Sequence, residues 1–102
     1  MMVVSRDSII EQIKTVFDPE IPVNVYELGL IYDVIVQEEN KIHVKMTLTA
    51  AACPAAEALP AEVKEKVLRV EGVTDCEVEL TFDPPWDKEM MSEEAKLELG
   101  ML

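Results

Sequence analysis

Residues 42–49 alternate without a fault, with Ile42, Val44, Met46 and Leu48 on one side and His43, Lys45, Thr47 and Thr49 on the other. Only an extended strand sorts odd and even positions onto opposite faces, so this run predicts a strand with one face on a core and one face wet. Residues 73–82 repeat the pattern, with Cys76, Val78, Leu80 and Phe82 facing in and Asp75, Glu77, Glu79 and Thr81 facing out. The β-branched residues of 31–37 predict a further strand, and the polar Glu38-Glu39-Asn40-Lys41 reads as the turn of a hairpin.

Two longer segments carry the period of a helix instead. Over residues 5–17, Ile9, Ile10, Ile13, Val16 and Phe17 line one face, Ser5 is placed to cap the start, and Asp18-Pro19 sets the end. Residues 19–29 then read as an irregular connection. Between Cys53 and Val70, inward residues Ala56, Leu59, Val63, Val67 and Val70 recur at steps of three and four, Glu62/Lys66 and Glu65/Arg69 pair outside, and Gly72 provides the stop. Pro60 either kinks that helix or begins it. After a stiff loop, Asp83-Pro84-Pro85-Trp86, a short helix starts near Ser92 with Glu93 and Glu94 in its first turn. The predicted fold is α+β, in the order αββαβ: a three-stranded mixed sheet, two main helices on one face, and a short C-terminal helix.

Composition limits what such a chain does. At 102 residues there is room for one domain, 1–102, with one core. The apolar fraction of 49% contains no run long enough for a membrane span, and residues 1–6 lack the features of a secretory signal. A cytoplasmic protein with its two cysteines as thiols is expected, with no membrane partner. A formal charge of −12 without a basic stripe argues against nucleic acid.

The candidate chemistry centres on Cys53. Pro54 follows it, and proline favours the first helical position, which would make Cys53 an N-cap at the positive end of a helix. That place lowers a thiol's pKa and makes it a better nucleophile and soft-metal ligand. On the dipeptide alone, a partly buried structural cysteine is the commoner reading. Parity assigns Cys76 to the core, and His43 to a solvated strand face. Thr49 ends its strand just before the Cys53 loop, where its hydroxyl would reach whatever binds the thiol. Asp18 and Glu20 flank Pro19 and offer oxygen ligands, although loop solvation explains them equally. Trp86 is either a docking aromatic or a cap on the core edge. Met90, Met91, Met101 and Leu102 add apolar surface that suits self-association, a homodimer included, or a partner groove. There is no phosphate-binding glycine loop, no His-Glu-x-x-His and no paired CxxC. One exposed cysteine does not hold a permanent cluster, and no histidine base stands ready for a cysteine hydrolase.

Four strings, taken in order, carry a resemblance: Asp18-Pro19-Glu20-Ile21-Pro22, Tyr26-Glu27-Leu28-Gly29-Leu30-Ile31-Tyr32-Asp33, Met46-Thr47-Leu48-Thr49 with Cys53-Pro54, and Phe82-Asp83-Pro84-Pro85-Trp86. Together they resemble the SufT-like metal-sulfur cluster assembly family, across nearly the whole chain. The resemblance implies an accessory factor in iron-sulfur cluster assembly or delivery rather than an enzyme. It implies Cys53 as the functional thiol and transient metal ligand, supported by Asp18, Glu20 and Thr49; the residue reading adds Trp86 as the partner-binding candidate. No cofactor is expected to stay bound; iron or an iron-sulfur cluster passes through. The implied partners are assembly proteins or apo client proteins. Ala50-Ala51-Ala52 departs from the family's usual proline or other turn former before the cysteine. The family's branch fused to a P-loop ATPase does not describe the chain, which has no such loop, and a PaaD-like accessory of a phenylacetyl-CoA oxygenase is the runner-up. A thiol-dependent enzyme centred on Cys53 is the alternative of a different class.

Overall fold

A computed structural model describes residues 4–18, 22–48 and 58–100 of the chain. Helix α1 spans Arg6–Ile13, and Ser5 caps it as expected, its hydroxyl accepting the Asp7 N–H at 3.2 Å. The helix ends four residues short of the predicted Phe17. Past Ile13 the bonding tightens: Thr15 N–H donates to the Gln12 carbonyl and Val16 N–H to the Ile13 carbonyl, both at 3.0 Å. The Thr15 hydroxyl also donates to the Gln12 carbonyl at 2.6 Å, a local bond that competes with helix propagation. Pro19 is therefore not what stops the helix. Val16 stays buried, but Phe17 is 54% exposed and bridges to Asn24 instead of joining the helix face.

Strands β1 (Ile31–Val36) and β2 (Lys41–Met46) form the expected antiparallel hairpin, with Val34 opposite Val44 and Val36 opposite Ile42. Tyr32 is the extra residue of a bulge, since Ile31 faces Met46 and Asp33 faces Lys45. The turn is a short 3-10 stretch, Glu38–Asn40, in which Glu39 and Asn40 take positive φ. Strand β3 (Asp75–Leu80) lies parallel to β2, pairing Ile42 with Cys76, Val44 with Val78 and Met46 with Leu80. The sheet order is β1-β2-β3, mixed as predicted.

Helix α2, described over Ala58–Leu68, connects the two parallel strands. Pro60 sits in the first described turn, where a missing N–H is best tolerated. Leu59, Val63 and Val67 are buried, and Arg69 pairs with Glu65 at 2.7 Å, whereas Glu62 and Lys66 form no ion pair. Ala56, assigned to the same face, lies outside the described residues. Ile9, Ile10 and Ile13 of α1 join Leu59, Val63 and Val67 of α2 over Val34, Ile42, Val44, Met46 and Cys76, so both helices cover one face of the sheet.

Three assignments need correction. Leu80 and Phe82, expected inside, are 37% and 44% exposed; β3 is an edge strand, and Leu80 is its last residue. Thr47, expected on the wet face, is fully buried. Met91, expected to add surface, packs into the core with Ala95. Helix α3 (Glu93–Glu98) begins where predicted, with the Ser92 hydroxyl accepting the Ala95 N–H at 3.1 Å.

Candidate functional site

A lateral run of backbone hydrogen bonds ties the first loop to the end of β2. Val25 N–H donates to the Val16 carbonyl (2.9 Å), Leu30 N–H to the Val25 carbonyl (3.1 Å), and Thr47 N–H to the Leu30 carbonyl (2.8 Å). The residues leading into Asp18 and those following Met46 are thereby held at one end of the sheet. Asp18 is buried there, its N–H reaching the Val23 carbonyl at 3.4 Å. Leu48 is buried as well, one residue before Thr49. Cys53, Glu20 and Thr49 lie outside the described residues, so of the four residues expected to form the site only Asp18 has a described position.

Sequence reasoning missed Thr47. Its hydroxyl is buried and has no hydrogen-bond partner among the described residues, a rare state for a polar atom in a folded protein. Parity concealed it: the Thr47 N–H bonds the Leu30 carbonyl in the register that pairs Ile31 with Met46, so alternation holds there, yet the residue is buried on the face that alternation leaves wet.

The second thiol behaves as parity predicted. Cys76 is buried on β3, and removal from water pushes its pKa from an ordinary 9.0 up to about 11, against the opposing pull of the Lys64 charge. Such a thiol is a poorer nucleophile and metal ligand at neutral pH than an exposed one. His43, the chain's single histidine, stands on the outer sheet face with Nε2 3.1 Å from Glu79 Oε1 and Nδ1 4.0 Å from Glu77. Trp86 is partly buried, and its indole N–H donates to the Leu28 carbonyl at 2.7 Å. No group of three or more metal-binding side chains occurs among the described residues.

The Tyr26–Tyr32 string serves the architecture. Gly29, at φ +83°, lies against the backbone of Met90, where any Cβ would overlap the Met90 carbonyl. Ser92 N–H donates to the Glu27 carbonyl (2.8 Å), and the Tyr32 hydroxyl donates to the Pro84 carbonyl (2.7 Å). The loop is thus the seat on which the C-terminal segment docks.

Known proteins match this arrangement closely. The sequence pattern of the family described as "Iron-sulfur cluster assembly protein" matches residues 6–80. The chain is 53% identical over 98 residues to the Fe-S protein maturation auxiliary factor of Porphyromonas gingivalis, covering 96% of this chain and 93% of that protein. It is 40% identical over 86 residues to the Fe-S protein maturation auxiliary factor SufT of Staphylococcus aureus, covering 84% and 98%. A solved domain of unknown function from Bacillus anthracis superposes with a TM-score of 0.88 at 37% identity, covering 94% and 92%. With the sheet order, both main helices and most of the sequence shared end to end, the chain belongs to the iron-sulfur cluster assembly protein family.

Proposed function

We propose that the chain is an accessory factor in the maturation of iron-sulfur proteins, acting through the Cys53 thiol and through contacts with assembly proteins or apo client proteins. The observation that carries the reading is the near end-to-end likeness to the P. gingivalis maturation auxiliary factor. The higher identity to that factor, 53% against 34% for a phenylacetyl-CoA epoxidase subunit, favours a maturation factor over a PaaD-like accessory. Thiol chemistry falls to Cys53 by the burial of the alternative: the sequence has two cysteines, and Cys76 is shut in the core with its pKa raised. Iron or a cluster is then cargo, held by Cys53 in passing. Asp18, Glu20 and Thr49 would serve as oxygen donors around that thiol. An enzymatic role is disfavoured because the single histidine is engaged with Glu79 on the outer face.

The test is Cys53→Ser, in a host lacking its own factor and grown under iron limitation. Serine keeps the size and hydrogen bonding of cysteine but is a far poorer soft-metal ligand and nucleophile. Client iron-sulfur enzymes should lose activity while their polypeptides accumulate to normal amounts, and the variant's thermal unfolding should be unchanged. Asp18→Asn and Glu20→Gln should weaken maturation less. Normal client activity with Cys53→Ser would sink the thiol role.

A further inference from the structure

The sheet has two edge strands, and they are finished differently. On β1 the Val34 N–H is taken by the Asp33 side chain (2.9 Å) and the Val34 carbonyl by Arg6 Nε (3.1 Å), so side chains close the middle of that edge. On β3 the orientation follows from Thr81, whose N–H donates to the Met46 carbonyl at 2.9 Å. Residues of that parity, Glu77 and Glu79, turn their backbone groups toward β2, and Cys76, Val78 and Leu80 turn theirs outward. Asp75 takes the Cys76 N–H at 2.8 Å. Among the described residues nothing takes the N–H or carbonyl of Val78 or Leu80.

A cleft of about 380 Å³ lies beside this open edge, lined by Pro60, Ala61 and Lys64 of α2 and by all four residues of 75–78 on β3, Asp75 and Glu77 included. Leu80 and the nearby Phe82 add exposed apolar surface at the strand's end. We propose that this edge takes an extended segment of a partner protein as a fourth strand, one that alternates apolar and basic side chains. Backbone pairing to Val78 and Leu80 supplies the ladder, and alternate side chains fall to the two faces. On the helix side they meet the cleft and Leu80. On the outer side they meet Asp75 and Glu77, both exposed; among the described residues Glu77 has no lysine or arginine partner, and only His43 Nδ1, at 4.0 Å, stands near it. A second copy of this chain is the wrong occupant. Pairing β3 with itself would set the Asp75, Glu77 and Glu79 row beside its own like charges, between chains that each carry −12. The inference concerns docking and does not depend on the thiol, so a Cys53→Ser chain binds the same segment.

The full-length chain, labelled with nitrogen-15, is titrated with a blocked peptide of about eight residues alternating valine and lysine, long enough to span a typical strand. Amide shifts should concentrate at residues 76–82, and hydrogen exchange at Val78 and Leu80 should slow. Val78→Pro removes an outward N–H without touching the ladder to β2, and should raise Kd about tenfold. Glu77→Lys, an exposed change that leaves the fold alone, should also raise Kd and carries the test if the proline variant unfolds. Shifts spread over the acidic surface, shifts at β1, unchanged Kd with Glu77→Lys, or no shift at millimolar peptide would each overturn the proposal. So would protection of Val78 and Leu80 that rises with protein concentration in the absence of peptide, since the occupant would then be a second copy.

Discussion

Thr47 shows how far a residue's environment departs from its sequence pattern. Alternation places it beside His43 and Lys45, and its N–H keeps the hairpin register by bonding the Leu30 carbonyl, yet Thr47 is fully buried there. Among the described residues its hydroxyl has neither an acceptor nor a donor. A buried polar group in that state costs roughly 1–3 kcal/mol. Thr47→Val keeps the shape and removes the unmet group, so it should raise the stability toward urea by about 1 kcal/mol. A lowered urea midpoint would mean that the hydroxyl has a partner. Cys76 is the opposite case. Parity assigns it to the sheet face that the helices cover, and it is buried there. Cys53, Glu20 and Thr49 were singled out by residue type and resemblance, and among the described residues only the position of Asp18 bears on that group.

At the level of elements, periodicity specified which face each strand offers but not how far a helix covers it. Met46 and Leu80 are partners across β2 and β3 and point the same way, yet Met46 is fully buried and Leu80 is 37% exposed. Met46 lies on the central strand with a neighbour on either side, whereas Leu80 is the last residue of an edge strand, at the limit of the sheet. The alternation of residues 73–82 contains no signal for that limit. Met46→Ala should therefore destabilise by about 2–5 kcal/mol, and Leu80→Ala by less than about 1 kcal/mol. Equal losses in chemical denaturation would mean that Leu80 belongs to the core after all. The first helix errs for a related reason: the apolar spacing persists through Phe17, but a local Thr15 hydroxyl bond and 3-10 tightening end the helix at Ile13.

For the molecule as a whole, the family pattern stops at residue 80, but the chain beyond it completes the core. Trp86 and Leu99 pack against it, Met91 and Ala95 are buried in it, and the segment is pinned to the 24–30 loop by the Trp86 indole and the Ser92 N–H. The sequence marked Trp86 and the methionines as apolar without saying what they cover; that information is long-range, carried by a loop some 58 residues away from Trp86. Gly29 is the residue on which this closure turns, and Gly100 provides its control. Both take positive φ, +83° and +72°, so alanine meets backbone strain of about 1 kcal/mol at either position. Only at Gly29 does the new Cβ overlap the Met90 carbonyl, whereas nothing lies within 4 Å of the same atom at Gly100. Gly29→Ala should then cost about 2–4 kcal/mol, and Gly100→Ala no more than about 1 kcal/mol. Because the overlap is relieved by lifting the segment, Gly29→Ala should also speed hydrogen exchange at Ser92 and Ala95, which the intact seat protects. Equal costs at the two glycines, or unchanged exchange at Ser92, would mean that the loop and the C-terminal segment are not held together as the structure has them.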